Sequence, residues 1–75
     1  MRLHVMKDPQ PCAFLLKNGA TIPGYYRIGV SGRFVAMPSQ PCLDAIKAYA
    51  PLRDIFTILY EEDWIPIPED YHATG

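Results

Sequence analysis

Tyr25-Tyr26-Arg27-Ile28-Gly29-Val30-Ser31-Gly32-Arg33-Phe34-Val35-Ala36-Met37 is the stretch on which the fold turns. Aromatic and β-branched residues crowd both sides of a Ser-Gly pair, the composition of two strands about a tight turn. A two-residue loop at Ser31-Gly32 predicts that Val30 pairs with Arg33, Ile28 with Val35 and Tyr26 with Met37 on one face. On the other, Gly29 pairs with Phe34, Arg27 with Ala36 and Tyr25 with Pro38. The first set reads as the core face. The second brings together Tyr25, Arg27 and Phe34, a mixture that serves either as a second packing surface or as a binding platform.

Upstream, the apolar run Cys12 to Lys17 ends at Asn18-Gly19, the dipeptide that best suits a type I′ hairpin because both central residues need positive φ. The return strand begins at Ala20 and meets Pro23-Gly24, where proline withholds a ladder donor, so an edge or a corner is expected. Downstream, Ser39 suits an N-cap and Pro41 a first helical turn. Leu43, Ile46 and Ala50 then recur at helical spacing before Pro51, and the segment reads as one short helix, with Tyr49 in its core stripe. Arg53 to Tyr60, apolar or β-branched on both faces, reads as a central strand. Beyond Glu61, Asp63-Trp64-Ile65-Pro66-Ile67-Pro68 reads as extended chain without a regular element. Trp64 is expected to anchor this tail on its own domain or on a dimer mate rather than to bind a ligand. The expected fold is therefore α+β: a small antiparallel sheet built from hairpins with one short helix, a single domain over residues 1–60, and an extended acidic tail over 61–75.

Seventy-five residues give one domain with little core, and chains of this size are commonly helped by a staple or a partner. Hydrophobic content of 49% with 20% charged residues fits a folded chain and excludes disorder throughout. No apolar run approaches the roughly 18 residues of a membrane span, and no signal-peptide pattern follows Met1, so the default compartment is the cytoplasm. Cys12 and Cys42 in such a chain read as two free thiols. With His4 and His72 they lack the close spacings of a zinc site, so no metal is expected. No phosphate loop, dinucleotide turn, metalloprotease helix or nucleophile elbow is present, and neither an enzyme nor a cofactor is expected.

Charge is divided along the chain. Residues 1–53 hold all seven bases against Asp8 and Asp44, a net of +5, whereas residues 54–75 hold six acids and no base, a net of −6. A basic body with an acidic tail follows.

The run Gly32-Arg33-Phe34-Val35-Ala36-Met37-Pro38-Ser39, followed by Arg53-Asp54-Ile55, resembles the SpoVG septation-regulator family, in which a similar G-x-F-V-A-M-P-S strand precedes an R-D-I strand. Ala20 to Val30 is similar to the preceding strand of that family, so the likeness covers about half the chain. It implies a small α+β domain with a curved antiparallel sheet, dimerising through its strands and binding nucleic acid as a regulator. Two features depart from the family: the connection from Gln40 to Leu52 is longer, and the acidic tail replaces the basic helix that follows the R-D-I strand.

The leading functional expectation is a non-enzymatic, dimeric nucleic-acid-binding regulator. In it Lys17, Arg27, Arg33, Lys47 and Arg53 neutralise phosphates of DNA or RNA while Tyr25 and Phe34 offer faces for stacking. A pI near 6.0 weighs against it unless the bases share one face. The alternative is a small protein-interaction module, such as an accessory or inhibitor protein from a mobile element, that engages a basic partner through Glu61, Glu62, Asp63 and Trp64. A purely structural subunit is the third.

Overall fold

β1 (Gln10–Leu16) and β2 (Thr21–Ile28) form the expected antiparallel hairpin around Asn18-Gly19. The structure, a computed structural model, describes residues 8–29, 32–39, 45–54, 56–69 and 71–73. The turn differs from the one the dipeptide suggests. The Leu16 N–H donates to the Ala20 carbonyl at 2.8 Å and the Gly19 N–H to that of Leu16 at 2.9 Å, and Gly19 alone in the loop has positive φ, +91°. This is a three-residue loop, a type I turn completed by a glycine bulge.

The same pair of bonds closes the connection from β2 to β3 (Phe34–Pro38): Gly29 N–H to Arg33 O and Gly32 N–H to Gly29 O, both 2.9 Å, with Gly32 at φ +84°. One more loop residue than expected shifts the register by one, which moves every side chain of β3 to the opposite face. Tyr26 therefore pairs with Ala36 and Ile28 with Phe34, while Tyr25 pairs with Met37 and Arg27 with Val35. Phe34 turns into the core, a correction to the face assignment from sequence. Val30 and Ser31 lie outside the described residues.

The expected helix is also corrected. Where it was to end, the chain forms β4 (Ile46–Pro51), antiparallel to β1, and residues 40–44 lie outside the described residues. A register shift between Leu15 and Leu16 lets Ile46 pair with Leu16 and Tyr49 with Phe14, so both face inward despite being three residues apart. Ala48 and Ala50 occupy the outer face opposite Leu15 and Ala13. Pairing with β1 along one flank and with β5 at Ala48 and Tyr49 on the other overrides the alanines' helix preference of under about 1 kcal/mol each. Among the described residues there is no α-helix, and none is long and apolar enough to cross a membrane.

Two further short strands complete a six-stranded sheet. β5 (Ile65–Pro66) pairs antiparallel with β4, β6 (His72–Ala73) pairs parallel with β3, and the order is β5-β4-β1-β2-β3-β6. The tail that was expected to be irregular thus joins both margins of the sheet and crosses its mouth, with Ile67 and Tyr71 packed on the core. The Ile46 N–H donates to Tyr71 Oη at 3.1 Å, tying the strap to β4. β2, expected to form an edge or a corner at Pro23, is not an edge but lies between β1 and β3.

The sheet is strongly curled. In a flat sheet β3 and β4, three strand spacings apart, would be separated by roughly 14 Å. Yet the Phe34 and Tyr49 rings lie 4.6 Å apart, and Tyr26 contacts both, stacked at 5.5 Å on Phe34 and tilted at 5.0 Å on Tyr49. Around this trio the core is closed by Cys12, Phe14, Leu16, Ile22, Ala36 and Ile46. Gly24 lies beneath the Phe14 ring, where a Cβ would stand 2.7 Å from Phe14 Cε2 and 2.6 Å from the Met37 carbonyl oxygen.

Candidate functional site

The curl distributes the basic residues instead of gathering them. Lys17, in the first turn, and Lys47, on β4, are exposed and line one cleft of about 370 Å³ with Glu69 and Tyr71. Arg33 is exposed at the opposite end of β2, whose eight residues extend over roughly 23 Å. Tyr25, 53% exposed, and half-buried Arg27 share the outer face of β2 with Val35 and Met37 across from them. Phe34, the second expected stacking residue, is 3% exposed and held against Tyr26 and Tyr49. Arg53 is exposed in the segment after β4. A single basic and aromatic platform made of these residues is not assembled. What remains of it is the Tyr25–Arg27 pair.

The segment between β4 and β5 carries the most unusual surface. Arg53 to Tyr60, expected as the central strand, is neither central nor paired, and Ile55 lies outside the described residues. Local side-chain bonds account for this. Thr57 Oγ1 accepts from the Arg53 and Asp54 N–H groups, each at 3.0 Å, and donates to the Asp54 carbonyl at 2.9 Å, while Asp54 Oδ1 accepts from the Phe56 N–H at 2.7 Å. Amides committed to an Asp-Thr turn cannot enter a ladder. In the family that the chain resembles the matching Arg-Asp-Ile run is a strand, whereas here Arg53 and Asp54 sit in this turn.

Beyond the turn, residues 57–60 belong to no regular element, and their exposure alternates from one residue to the next. Thr57 and Leu59 are half-buried, whereas Phe56, Ile58 and Tyr60 are 81%, 70% and 59% exposed. With Pro51 and Leu52 these three line an open groove of about 640 Å³. Its charged lining is Arg53, Asp54 and Asp63, and Asp63 Oδ2 accepts from the Tyr60 N–H at 2.8 Å. Glu61 and Glu62 are exposed on the adjoining 3-10 turn Glu61–Asp63, and half-buried Trp64 follows. From residue 53 to 63 the chain holds four acids against Arg53, a net of −3.

Among the described residues, Cys12, Tyr26 and Tyr49 in and around the core have their titration moved by burial. Burial pushes the Cys12 thiol up to about 12, and burial also raises the Tyr26 and Tyr49 phenols. Cys12 is a free, buried cysteine.

Of the residues expected at a protein-interaction site, Glu61, Glu62, Asp63 and Trp64 do lie together at one end of the groove. Phe56, Ile58 and Tyr60 were missed, because apolar residues on both faces of a strand signal burial. The spacing of Asp54 and Thr57 was the available sign that the segment opens with a turn. Comparisons of the chain with family models, curated proteins and solved structures give no match.

Proposed function

We propose that this chain is a non-enzymatic protein-interaction module that receives a positively charged partner on the groove of Phe56, Ile58 and Tyr60 and on the acidic turn Glu61–Asp63 beside it. The observation that carries this reading is the exposure of three large side chains at alternate positions. Burying a side chain of this size is worth about 1.5–3 kcal/mol, and here that gain is left unused in the isolated chain. The net of −3 between residues 53 and 63 selects for positive charge in whatever covers them.

A second reading, the dimeric nucleic-acid-binding regulator implied by the resemblance to SpoVG, is favoured by one observation: Tyr25, 53% exposed, stands beside Arg27 on the outer face of β2. Parallel titrations separate the two. Lysine-rich apolar peptides and single- and double-stranded nucleic acid are each titrated against the wild type, against Phe56→Ser/Ile58→Ser/Tyr60→Ser and against Tyr25→Ala/Arg27→Gln. Peptide binding lost only in the triple variant supports the interaction module. Nucleic-acid binding with a steep salt slope, lost only in the double variant and accompanied by a dimeric mass in light scattering, replaces it with the regulator.

A further inference from the structure

Within the proposed interaction surface, the backbone carries a feature separate from the exposed side chains. Among the described residues no hydrogen bond engages the N–H or C=O of Ile58 or Leu59, although exposure alternates from residue 56 to 60 as it does along a strand. The sheet's outer strands β4 and β3 are each covered by a short piece of the tail, β5 and β6. An exposed apolar segment that no described residue pairs with is the kind of edge that folded proteins normally cover or charge. Here the neighbouring Glu61, Glu62 and Asp63 supply the charge, and no described residue covers the segment itself.

We infer that residues 57–59 accept a strand from a partner protein, an extended segment alternating apolar and basic residues, which adds alongside Ile58 and packs its apolar side chains against Phe56, Ile58 and Tyr60. Three observations converge on this occupant. The backbone groups at Ile58 and Leu59, unpartnered among the described residues, match the ladder donors and acceptors of an added strand. The exposed stripe repeats every second residue, the period at which an added strand presents side chains to one face. Glu61, Glu62 and Asp63 place negative charge at the Tyr60 end of the stripe, where basic side chains of the added strand fall, while Asp54 at the other end is balanced by Arg53. The charge also decides against a second copy of this chain as the occupant. Two stripes of net −3 would meet within about a Debye length, roughly 8 Å, and repel each other.

This inference rests on the interaction-module reading, and its test separates the two. The probe is a short capped peptide of alternating lysine and valine, titrated by NMR at low salt. It is compared with a lysine-serine peptide and with two versions N-methylated either at every lysine or at every valine, since each methylation pattern removes the amide donors from one edge of the strand only. The expected result is binding that weakens about tenfold in the lysine-serine peptide, in Ile58→Ser and in Glu61→Gln/Glu62→Gln. One methylated version should lose about tenfold while the other keeps its affinity. Equal binding by both methylated versions overturns strand addition and leaves the interaction module standing. A concentration-dependent dimer that is abolished by Ile58→Ser, with no peptide binding, overturns it in favour of a second copy. A monomer that binds none of the peptides overturns both.

Discussion

Replacing Gly24 by alanine tests the close approach around which the sheet curls. Gly24 lies within β2 at an ordinary φ, so alanine there carries no backbone strain and should gain about 0.5–1 kcal/mol from a less flexible unfolded chain. The opposing effect is steric. The new Cβ would stand 2.6 Å from Met37 O, 2.7 Å from Phe14 Cε2 and 2.9 Å from Pro38 Cα. Two of these are backbone atoms of β3, fixed by its ladder to β2, and the third belongs to a ring with no exposed surface, so none can swing aside. Overpacking of this kind costs about 1–3 kcal/mol, and the balance is a net loss of about 1–2 kcal/mol, which lowers the melting temperature of a small domain by about 5–15 °C. Urea and thermal unfolding followed by circular dichroism read the change. Gly29→Ala serves as the control, since its Cβ would meet only Arg33 O at 3.6 Å, and its stability should stay within about 0.5 kcal/mol of wild type. The effect of Gly24→Ala should also shrink in a Phe14→Leu background, because part of the clash is with the ring. A Gly24→Ala protein as stable as wild type would refute the packing of Phe14 over β2.

Phe34→Ala should destabilise the fold by about 3–5 kcal/mol while Tyr25→Ala changes it by less than about 0.5 kcal/mol, and a Phe34→Ala effect as small as that of Tyr25→Ala in denaturant melts would restore the register with a two-residue loop, in which both residues share the outer face. Tyr71→Phe keeps the ring but removes the acceptor for the Ile46 N–H, with an expected loss of about 1 kcal/mol in the same melts. Cys12, with its thiol pushed up to about 12, should be alkylated at pH 8 about a thousandfold more slowly than in the unfolded chain, as measured by peptide-mapped mass spectrometry. The same shift predicts alkaline sensitivity. Between the ordinary value of 9.0 and about 12 the unfolded chain releases the Cys12 proton and the folded chain keeps it, so stability falls as pH rises through that window, by up to about 1.4 kcal/mol per pH unit. Urea melts at pH 8 and 10 check the sign, and equal stability at the two would contradict it.

Much of the first three strands was legible from local chemistry. Asn18-Gly19 and Ser31-Gly32 marked the two reversals because glycine is the residue that takes positive φ there at little cost, and Tyr26 and Ile28 were assigned to the inner face of β2, where they pack. The charge division along the chain was equally visible. What the local chain could not decide were choices worth about 1 kcal/mol or less. Ile46 to Ala50 suits a helix and a strand almost equally, and pairing with β1 and β5, more than 30 residues away in one direction and about 17 in the other, makes it a strand. One additional loop residue at the second hairpin sent Phe34 inward, a difference in turn type that the sequence leaves nearly balanced. The stripe of Phe56, Ile58 and Tyr60 was misread for a related reason: an apolar segment is buried only if another element comes to cover it, and the tail that could have done so goes instead to the margins beside β4 and β3. Composition and turn chemistry act over a few neighbouring residues and so determined where the chain reverses and where its charges lie. Which strands meet, and which apolar face is left open, depends on contacts between residues far apart in sequence, and the tertiary structure decided those.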